Sequence, residues 1–347
     1  MKILYGVQGT GNGHIARARA MARAFANQPI EVDFLFSGRE SDKYFSMSDF
    51  GDFQTRRGVS FVCKNGAVDH VETVRKNDLK QLFKDIQQLD VSQYDLVLND
   101  FEPITAWAAK RQSLPCISIS HQNAFRYSVP MRGASWLDKR LIHHFAPANH
   151  NLALHWYHFD QPILPPIIQA EHGKVETAGY VLVYLPFEGF DEIIDLLIRF
   201  NKHQFICFHP EVKQDMDIEN ICCRPLNYDR FQDALHSCDG VIANGGFELP
   251  SEALSLGKKL LLKPLNGQFE QMSNVATLEM LGLASSMDRL DSLQVGQWLE
   301  DHDAEKVHYP DVAGAIAKWI IAGKLDDYAS LHDDLWSQVD FPDYATF

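Results

Sequence analysis

The segment KILYGVQGTGNGHIARARAMARAF, residues 2–25, decides how the fold begins. Its apolar start, residues 3–7, predicts a buried β-strand, and the glycine-rich stretch 9–13 predicts a tight turn. Apolar side chains then recur at helical spacing from Ile15 to Phe25, which predicts an amphipathic helix. A strand that enters a helix through a glycine turn is typical of parallel sheets covered by helices, and such a turn lets backbone N–H groups approach an anion.

The same alternation of strand and helix patterns continues along the chain. In the first half, the predicted strands are 2–7, 31–36, 96–99 and 116–120, and the predicted helices are 15–27, 79–89 and 104–112. In the second half, the predicted strands are 181–185, 204–208, 240–243 and 259–262, and the predicted helices are 192–200, 228–237 and 248–255. This order predicts an α/β fold with two units, which suits a chain of 347 residues and domains of about 150 residues.

The proline-rich segment QPILPP, residues 161–166, is the predicted linker between the two units. Its prolines remove backbone donors and fix φ, so it cannot continue a helix or a central strand. The predicted N-terminal domain is therefore 1–160, and the predicted C-terminal domain is 161–325. We expect residues 326–347 to form a tail that packs back on the N-terminal domain.

Composition and charge exclude several classes of protein. The chain has 46 acidic and 32 basic residues and a net charge of −14, so nucleic acid is not an expected partner. The six cysteines include no CxxC pair, which favours reduced thiols. The N-terminal apolar run is interrupted by Gln8 and the glycines, which predicts no export signal, and no apolar run approaches the roughly 20 residues of a membrane span. We therefore expect a cytoplasmic protein, either soluble or peripheral on the inner face of the cell membrane.

The turn sequence GNGHIA, residues 11–16, also fits the GxGxxA pattern of dinucleotide-binding oxidoreductases. That pattern requires an acidic residue at the end of the second strand, whereas Glu31 and Asp33 come too early in the predicted strand 31–36. A histidine directly after the third glycine instead projects a general base into the cleft that the turn opens. His14 is therefore a candidate catalytic base, and the alternative is a structural histidine that caps the turn.

A second glycine turn, ANGGFELPSEAL at residues 243–254, lies between a predicted strand and a predicted helix. The helix start at Gly245 and Gly246 suits a diphosphate. Glu252 lies one to two turns into the helix, where a carboxylate can accept both hydroxyls of a ribose; the alternative is a solvated glutamate. The polar loop 264–271 suits the hydroxyls of a sugar, or it is an ordinary loop and helix cap.

Together, the motifs GTGNGH, NGGFELPSEAL and NGQFEQ resemble those of the GT-B glycosyltransferases. They are most similar to the family 1-type prokaryotic enzymes related to the lipid-linked N-acetylglucosaminyltransferase of peptidoglycan synthesis. The resemblance covers most of the chain, from His14 to Gln271, and implies two Rossmann-like domains that face each other across a cleft. In that family the first domain binds the acceptor and the second binds a sugar nucleotide.

The resemblance also implies roles for individual residues. His14 corresponds to the base, Glu252 to the residue that holds the donor ribose, and the glycine pair to the diphosphate site. The expected donor-binding residues are Asn244, Gly245, Gly246, Phe247, Glu252, Gln268, Glu270 and Gln271. The expected acceptor-binding or glycine-loop residues are Gly11, Asn12, Gly13, Glu102 and His121.

Asp100 ends a predicted strand of the first unit, at the same sheet edge as His14. A carboxylate there can orient the imidazole and stabilise its charge, as in a His–Asp dyad. The alternative is an N-cap for the helix that Pro103 begins. Glu102 is the second candidate for the carboxylate. His121 follows another strand and is expected to line the acceptor pocket, with a structural histidine as the alternative.

Two other segments are candidates for binding. The histidines between 143 and 158 fit no zinc spacing, and Asp215 and Asp217 lie in a predicted solvated loop, so no metal is expected. Residues 125–140 interleave bulky apolar and basic side chains. They are interpreted either as a face that docks on an anionic membrane or a lipid-linked acceptor, or as a helix pair between the domains.

The sequence therefore predicts a metal-independent glycosyltransferase that needs no cofactor and inverts, by analogy with the family. Its co-substrate would be a nucleoside diphosphate sugar, with a UDP-sugar favoured, and its acceptor a hydroxyl of a glycan, a lipid-linked molecule or a small molecule. Two alternatives stay open. One is a nonhydrolysing UDP-sugar epimerase, and the other is a nucleotide-sugar-binding module without activity.

Overall fold

The computed structural model of the chain describes residues 1–26, 28–44, 46–60, 63–64, 67–68, 77–169, 177–301 and 304–347. Within these ranges the protein forms two seven-stranded sheets, each flanked by helices, and a short two-stranded sheet. The predicted α/β fold with two units is confirmed.

The first sheet contains parallel strands only. Its strands are β1 (Lys2–Gln8), β2 (Glu31–Ser37), β3 (Gln54–Arg56), β6 (Leu96–Asp100), β7 (Cys116–Ser120), β8 (His150–Leu154) and β9 (Ile163–Leu164), and the separate pair is β4 (Cys63–Lys64) and β5 (Ala67–Val68). The strand order is β3-β2-β1-β6-β7-β8-β9. Helices α1 (Asn12–Ala26), α2 (Leu79–Gln88), α3 (Pro103–Arg111) and α4 (Trp136–His144) belong to this unit, as does the 3₁₀ segment His121–Arg126.

The second sheet is parallel apart from one edge strand. Its strands are β10 (Tyr180–Tyr184), β11 (Gln204–Phe208), β12 (Met216–Ile218), β13 (Ile221–Arg224), β14 (Gly240–Asn244), β15 (Lys259–Lys263) and β16 (Ser285–Ser286). The order is β12-β13-β11-β10-β14-β15-β16, with β12 antiparallel to β13. The helices are α5 (Phe190–Leu197), α6 (Tyr228–Ser237), α7 (Glu248–Ser255), α8 (Phe269–Met280), α9 (Ser292–Glu300), α10 (Val312–Ile321) and α11 (Tyr328–Trp336). No helix of the described residues is long and apolar enough to cross a membrane.

Strand register brings the candidate residues of the first unit to one edge. Val7 of β1 is the register partner of Asp100 of β6, and both strands are fully buried near this point. The glycine turn follows β1 directly. Helix α1 begins at Asn12, earlier than the predicted start at residue 15, because Asn12, Gly13 and His14 already form its first turn. His14 therefore lies on a helix rather than on a loop.

The first unit extends past the predicted boundary after residue 160. Ile163 and Leu164 form β9, which pairs with Ala153 and Leu154 at the edge of the first sheet. The prolines around this pair do not prevent it, because a two-residue edge strand needs few backbone donors. The second unit begins with β10 at Tyr180.

The C-terminal helices return to the first unit. Helix α10, which the sequence assigned to the C-terminal domain, packs against α1, and α11 packs against β9. Trp336 Nε1 donates a hydrogen bond to the carbonyl of Ile163 at 2.6 Å, and the Tyr328 hydroxyl donates to the carbonyl of Pro162 at 2.8 Å. Part of the expected tail, 326–347, therefore contacts the N-terminal unit.

Buried contacts also join the two units directly. The indole of Trp156 donates to the Ser251 hydroxyl at 2.8 Å, and the ring of Phe247 stacks on His121 with 3.9 Å between centroids. All four side chains are buried. The two units therefore share an apolar interface beside the cleft.

Gly6, in the centre of β1, tests the packing of the first sheet on α3. A Cβ at this position would overlap the Thr105 side chain. We expect Gly6→Ala to lower the free energy of unfolding by about 1–3 kcal/mol, since overpacking of a buried site costs this much. Urea denaturation measures it. Gly11→Ala is the matched control, because no atom lies within 4 Å of a Cβ there; equal stability losses for both variants would contradict the packing.

Candidate active site

A cleft of about 300 Å³ lies between the two units. Its first wall is the glycine turn, the start of α1 and the segment that begins at His121. Its second wall is the turn after β14, the start of α7 and the loop before α8. The carboxyl edges of both sheets therefore face the same space, which is where parallel α/β sheets bind ligands.

His14 contacts Asp100 at the first wall, as the sequence predicts. The imidazole Nδ1 lies 2.8 Å from Asp100 Oδ1, and the carboxylate is fully buried. Because an ionised carboxylate only accepts hydrogen bonds, Nδ1 carries a hydrogen, and in the neutral imidazole Nε2 is the nitrogen with the lone pair. The His14 side chain is 15% exposed and lines the cleft.

The alternative of Asp100 as an N-cap is not what the structure shows. Glu102 is the N-cap of α3, where its carboxylate accepts from the backbone N–H groups of Ile104 and Thr105. It also accepts from the hydroxyls of Ser37 and Thr105. Glu102 is fully buried and these bonds hold it against α3, so it is not among the residues that line the cleft.

Arg17 is a central residue of the site that the sequence analysis missed. Its Nε and one terminal nitrogen donate to the two oxygens of Asp100 at 2.8 and 2.9 Å. Its other terminal nitrogen donates to Glu248 Oε1 on α7 of the second unit. The available signal was spacing, since residues three apart on a helix lie on one face and Arg17 follows His14 by three.

The buried charges around Arg17 shift the pKa values of its partners in opposite directions. Burial raises the pKa of Asp100, but the charges of Arg17 and His14 outweigh it, and the net pKa lies below the ordinary value. Burial also raises the pKa of Glu248, and here it wins over the attraction of Arg17, so that the pKa is about 8. Asp100 is thus an ion and Glu248 mostly holds a proton at neutral pH.

The turn after β14 leaves the start of α7 open toward the cleft. A Cβ on Gly245 would lie 2.7 Å from Val275 Cγ2 and 2.9 Å from the Gln271 carbonyl, so only glycine fits. A Cβ on Gly246 would meet nothing within 4 Å. No side chain caps α7, which leaves the Glu248 and Leu249 N–H groups of its first turn for an anion. The N–H groups of Gly245 and Gly246 instead donate to backbone carbonyls.

A second pocket of about 130 Å³ continues from the cleft. Tyr184, Phe208 and Phe231 line it together with Glu252. Glu252 accepts a hydrogen bond from Gln232 Nε2 at 3.1 Å, and burial raises its pKa. The residues that line both cavities are Asn12, Gly13, Tyr184, Glu248 and Leu249. The start of α7 therefore lies where the two cavities meet.

The loop before α8 brings its predicted residues to the second wall. Gln268 caps α8 by accepting from the Gln271 backbone N–H, and Gln271 Oε1 accepts from the Leu265 N–H at 2.9 Å. Glu270 accepts a hydrogen bond across the cleft from Gln122 Nε2 at 3.0 Å. All three predicted residues line the cleft.

Phe247 and His121 serve the interface between the units as well as the cleft. The His121 ring lies between the Leu154 carbonyl at 2.9 Å and Asn274 Oδ1 at 2.7 Å. It is almost fully buried, and burial lowers its pKa. His121 lines the cleft with one edge, but its nitrogens are held by the two units. Asn12 reaches Tyr184 across the mouth at 3.4 Å.

The remaining candidate segments lie away from the cleft. Asp215 pairs with Arg230, and Asp217 pairs with Arg224. Among the described residues there is no group of three or more His, Cys, Asp or Glu that could hold a metal ion. Within 125–140, Phe125 and Val129 are buried, whereas Trp136 at the start of α4 is 70% exposed.

The pKa of Glu248 predicts how stability depends on pH. Between the ordinary value of 4.5 and about 8, the folded protein holds a proton that the unfolded chain has released, so the free energy of unfolding falls as pH rises. Glu248→Gln removes this titration. We expect the free energy of unfolding of the variant, relative to that of the wild type, to increase from about pH 5 to 8. The increase should be up to about 1.4 kcal/mol for each pH unit.

Urea denaturation at several pH values measures the difference between the two proteins. The control is Glu300→Gln, which changes an exposed carboxylate at the end of α9. Its free energy of unfolding should differ from that of the wild type by the same amount at every pH. A constant difference for Glu248→Gln as well would show that Glu248 is ionised in the folded protein.

Comparison with known proteins identifies the family. No curated protein sequence matches the chain at significant similarity. The glycosyltransferase SnogD from Streptomyces nogalater is similar in structure, with 15% identity, a TM-score of 0.57, and coverage of 97% of this chain and 99% of that one. The spinosyn rhamnosyltransferase SpnG has 14% identity, a TM-score of 0.57, and coverage of 96% and 97%. The predicted GT-B fold is confirmed. The family model for glycosyl transferase family 1 matches residues 1–302, and this chain therefore belongs to that family of glycosyltransferases.

Proposed function

We propose that the protein transfers a sugar, with inversion and without a metal ion, from a UDP-sugar to an acceptor hydroxyl. The observation that carries this proposal is the placement of the His14–Asp100 pair opposite the open start of α7, within one cleft. A base and an anion site that face each other are what the attack of a hydroxyl on a nucleoside diphosphate sugar requires.

The two connected cavities support a path for the donor. The nucleoside occupies the aromatic pocket, with its ribose hydroxyls at Glu252. The diphosphate lies at the start of α7, next to Gly245 and Gly246, where the cavities meet. The sugar then extends into the cleft toward Gln268, Glu270 and Gln271. A structure of SpnG holds thymidine diphosphate, a pyrimidine nucleotide like UDP, which favours this class of donor.

The reaction needs one proton transfer and one displacement. The acceptor oxygen attacks the anomeric carbon while His14 Nε2 takes the hydroxyl proton. The bond from that carbon to the diphosphate oxygen breaks, and its electron pair leaves with UDP. Asp100 stabilises the imidazolium through Nδ1, and Arg17 keeps Asp100 ionised. Attack from the face opposite the leaving group inverts the anomeric centre.

His14→Ala tests the base. We expect the rate of transfer to fall by about 10²- to 10⁴-fold, because a positioned general base contributes this much. Binding of UDP, measured by calorimetry, should stay within twofold, since His14 lies on the acceptor wall. His203→Ala, in the turn before β11, should keep the wild-type rate. Full turnover by His14→Ala would refute the role of the base.

The same preparation separates a transferase from the two alternatives. With the UDP-sugar alone, a transferase releases at most a little free sugar by slow hydrolysis. An epimerase instead converts the sugar without any acceptor. A binding module holds UDP but yields no product with any acceptor.

Charge stabilisation by α7 predicts that chelation leaves the reaction intact. The open N–H groups and the dipole at the helix start neutralise part of the charge that develops on the leaving diphosphate. We expect EDTA to leave the transfer rate unchanged. Loss of activity with EDTA, restored by added Mg²⁺ or Mn²⁺, would overturn the metal-independent mechanism.

The acceptor is a glycan, a small molecule or a lipid-linked molecule at the inner face of the membrane. The structure of SpnG with spinosyn aglycone shows a small-molecule acceptor in a protein of this fold. A lipid-linked acceptor is supported by α4, which exposes Trp136 and Leu141 next to basic Lys139 and Arg140. Exposed aromatic and basic side chains on one helix suit an anionic membrane.

Vesicle sedimentation tests the membrane contact. We expect the protein to sediment with vesicles of phosphatidylglycerol and phosphatidylcholine, and less with phosphatidylcholine alone. Trp136→Ser should reduce the bound fraction several-fold. Leu293→Ser, which removes an exposed apolar side chain of the second unit, should not. Equal binding by both variants would argue against α4 as the docking face.

A further inference from the structure

Arg39 is set apart from the other arginines of the two cavities by its partners. Arg17 pairs with Asp100, and Arg19 pairs with Asp49. Arg39 is half-buried, burial lowers its pKa, and it forms no ion pair with a carboxylate of the described residues. Cations that are removed from water are normally paired, so an anionic ligand is the expected partner of Arg39.

The guanidinium of Arg39 is fixed on the glycine turn. Its Nε donates to the Gly9 carbonyl, and both terminal nitrogens donate to Asn12 Oδ1 at 3.2 Å. The ring of Tyr44 covers one face, and a long bond of 3.5 Å runs to the Lys43 carbonyl. These bonds use four of the five N–H groups of a guanidinium. The fifth has no acceptor among the described residues.

The terminal nitrogens of Arg39 lie where the two cavities meet. They are bonded to Asn12, which is exposed and lines both cavities, and Arg39 itself lines the second pocket. Asn12 Nδ2 also reaches the hydroxyl of Tyr184 in the second unit at 3.4 Å. A Cβ on Gly11 would meet no atom within 4 Å, so the space beside the turn is open. A ligand at the junction of the cavities can therefore reach the charged end of Arg39.

The start of α7 lies across the same junction. Gly13, the neighbour of Asn12, approaches Glu248 so closely that a Cβ would lie 3.0 Å from its Cγ. Glu248 is the first residue of α7, and its pKa of about 8 leaves its side chain mostly neutral. A ligand at the junction thus meets the uncapped N–H groups of α7 on one side and the guanidinium of Arg39 on the other.

The chemistry of this ligand follows from the two groups that face it. Both offer only hydrogen-bond donors, and one carries a full positive charge, so the ligand must be an anion with several acceptor oxygens. A planar guanidinium also matches the spacing of two phosphate oxygens. In a nucleoside diphosphate sugar with a neutral hexose, the diphosphate is the charged part.

We propose that Arg39 binds the diphosphate of the donor from the first unit and stabilises the charge of the departing UDP. This inference rests on the proposed function and adds a charged residue of the acceptor unit to the donor site. When the bond from the anomeric carbon to the diphosphate oxygen breaks, its electron pair stays on that oxygen. A fixed cation beside the diphosphate stabilises this growing charge, so it lowers the barrier as well as strengthening binding.

Calorimetry with UDP and with uridine tests the proposal, because uridine lacks the diphosphate. We expect the wild type to bind UDP more tightly than uridine. Arg39→Met should weaken UDP by about 10- to 100-fold, since a hydrogen bond to a charged group contributes this much. Uridine should stay within twofold, and kcat for transfer should fall. Arg39→Lys keeps a charge but loses the planar fork, so its loss should be smaller.

A matched control separates binding from stability. Arg56 is also a half-buried arginine of the first unit, bonded to the Thr55 carbonyl and to Gln54, and it lines neither cavity. Arg56→Met should leave both affinities within twofold and kcat unchanged. If Arg39→Met folds poorly, Arg39→Lys gives the same comparison of UDP with uridine.

The outcomes distinguish the inference from the proposed function. If the wild type transfers sugar and both Arg39 variants bind UDP as tightly as it does, the role of Arg39 is wrong while the proposed function stands. Equal losses for UDP and uridine would also overturn the role, because they would show that Arg39 only holds the glycine turn. A raised KM for the acceptor with unchanged UDP affinity would contradict it as well. If the wild type does not bind UDP, both the proposed function and the inference fail.

Discussion

The site depends on the hydrogen bonds that the buried guanidinium of Arg17 donates. It binds Asp100 in its own unit and Glu248 in the other, so one side chain joins the base to the helix at which the donor phosphates are proposed to bind. A planar guanidinium suits this task because its donors point in fixed, separate directions. Loss of this residue would leave the buried carboxylate of Asp100 without this cation, and breaking a buried ion pair costs about 3–5 kcal/mol.

Close approach of the two units is a second condition, and Gly13 allows it. A Cβ at this position would lie 3.0 Å from Glu248 Cγ, so a larger residue would force the Glu248 side chain to shift. The proton on Glu248 matters for the same reason. Its pKa of about 8 keeps this side chain mostly neutral at the place where the cavities meet, and a neutral acid does not repel a diphosphate. The neutral side chain of Glu248 and the close packing at Gly13 therefore both suit a diphosphate bound at the start of α7.

The sequence was sufficient for the fold and for the pairing of His14 with Asp100. Strands and helices alternate with clear periods, and the ends of adjacent parallel strands meet at one edge, so both predictions follow from local patterns. Glu102 was harder, because two carboxylates precede Pro103 and only the backbone geometry shows which one caps α3. Arg17 was harder still, because only its helical spacing from His14 indicated it and its partners lie more than 80 residues away in the chain. The edge strand β9 was hidden by its flanking prolines.

A double-mutant cycle between Arg17 and Glu248 tests most directly whether this bridge organises the site. The variants are Arg17→Met, Glu248→Gln and the two combined, and the measured quantity is kcat/KM for transfer. If the bridge couples the units, the double variant should lose far less than the product of the single losses, with a coupling of at least about tenfold, or 1.4 kcal/mol. Losses that simply multiply would show that the two residues act independently and would contradict the account.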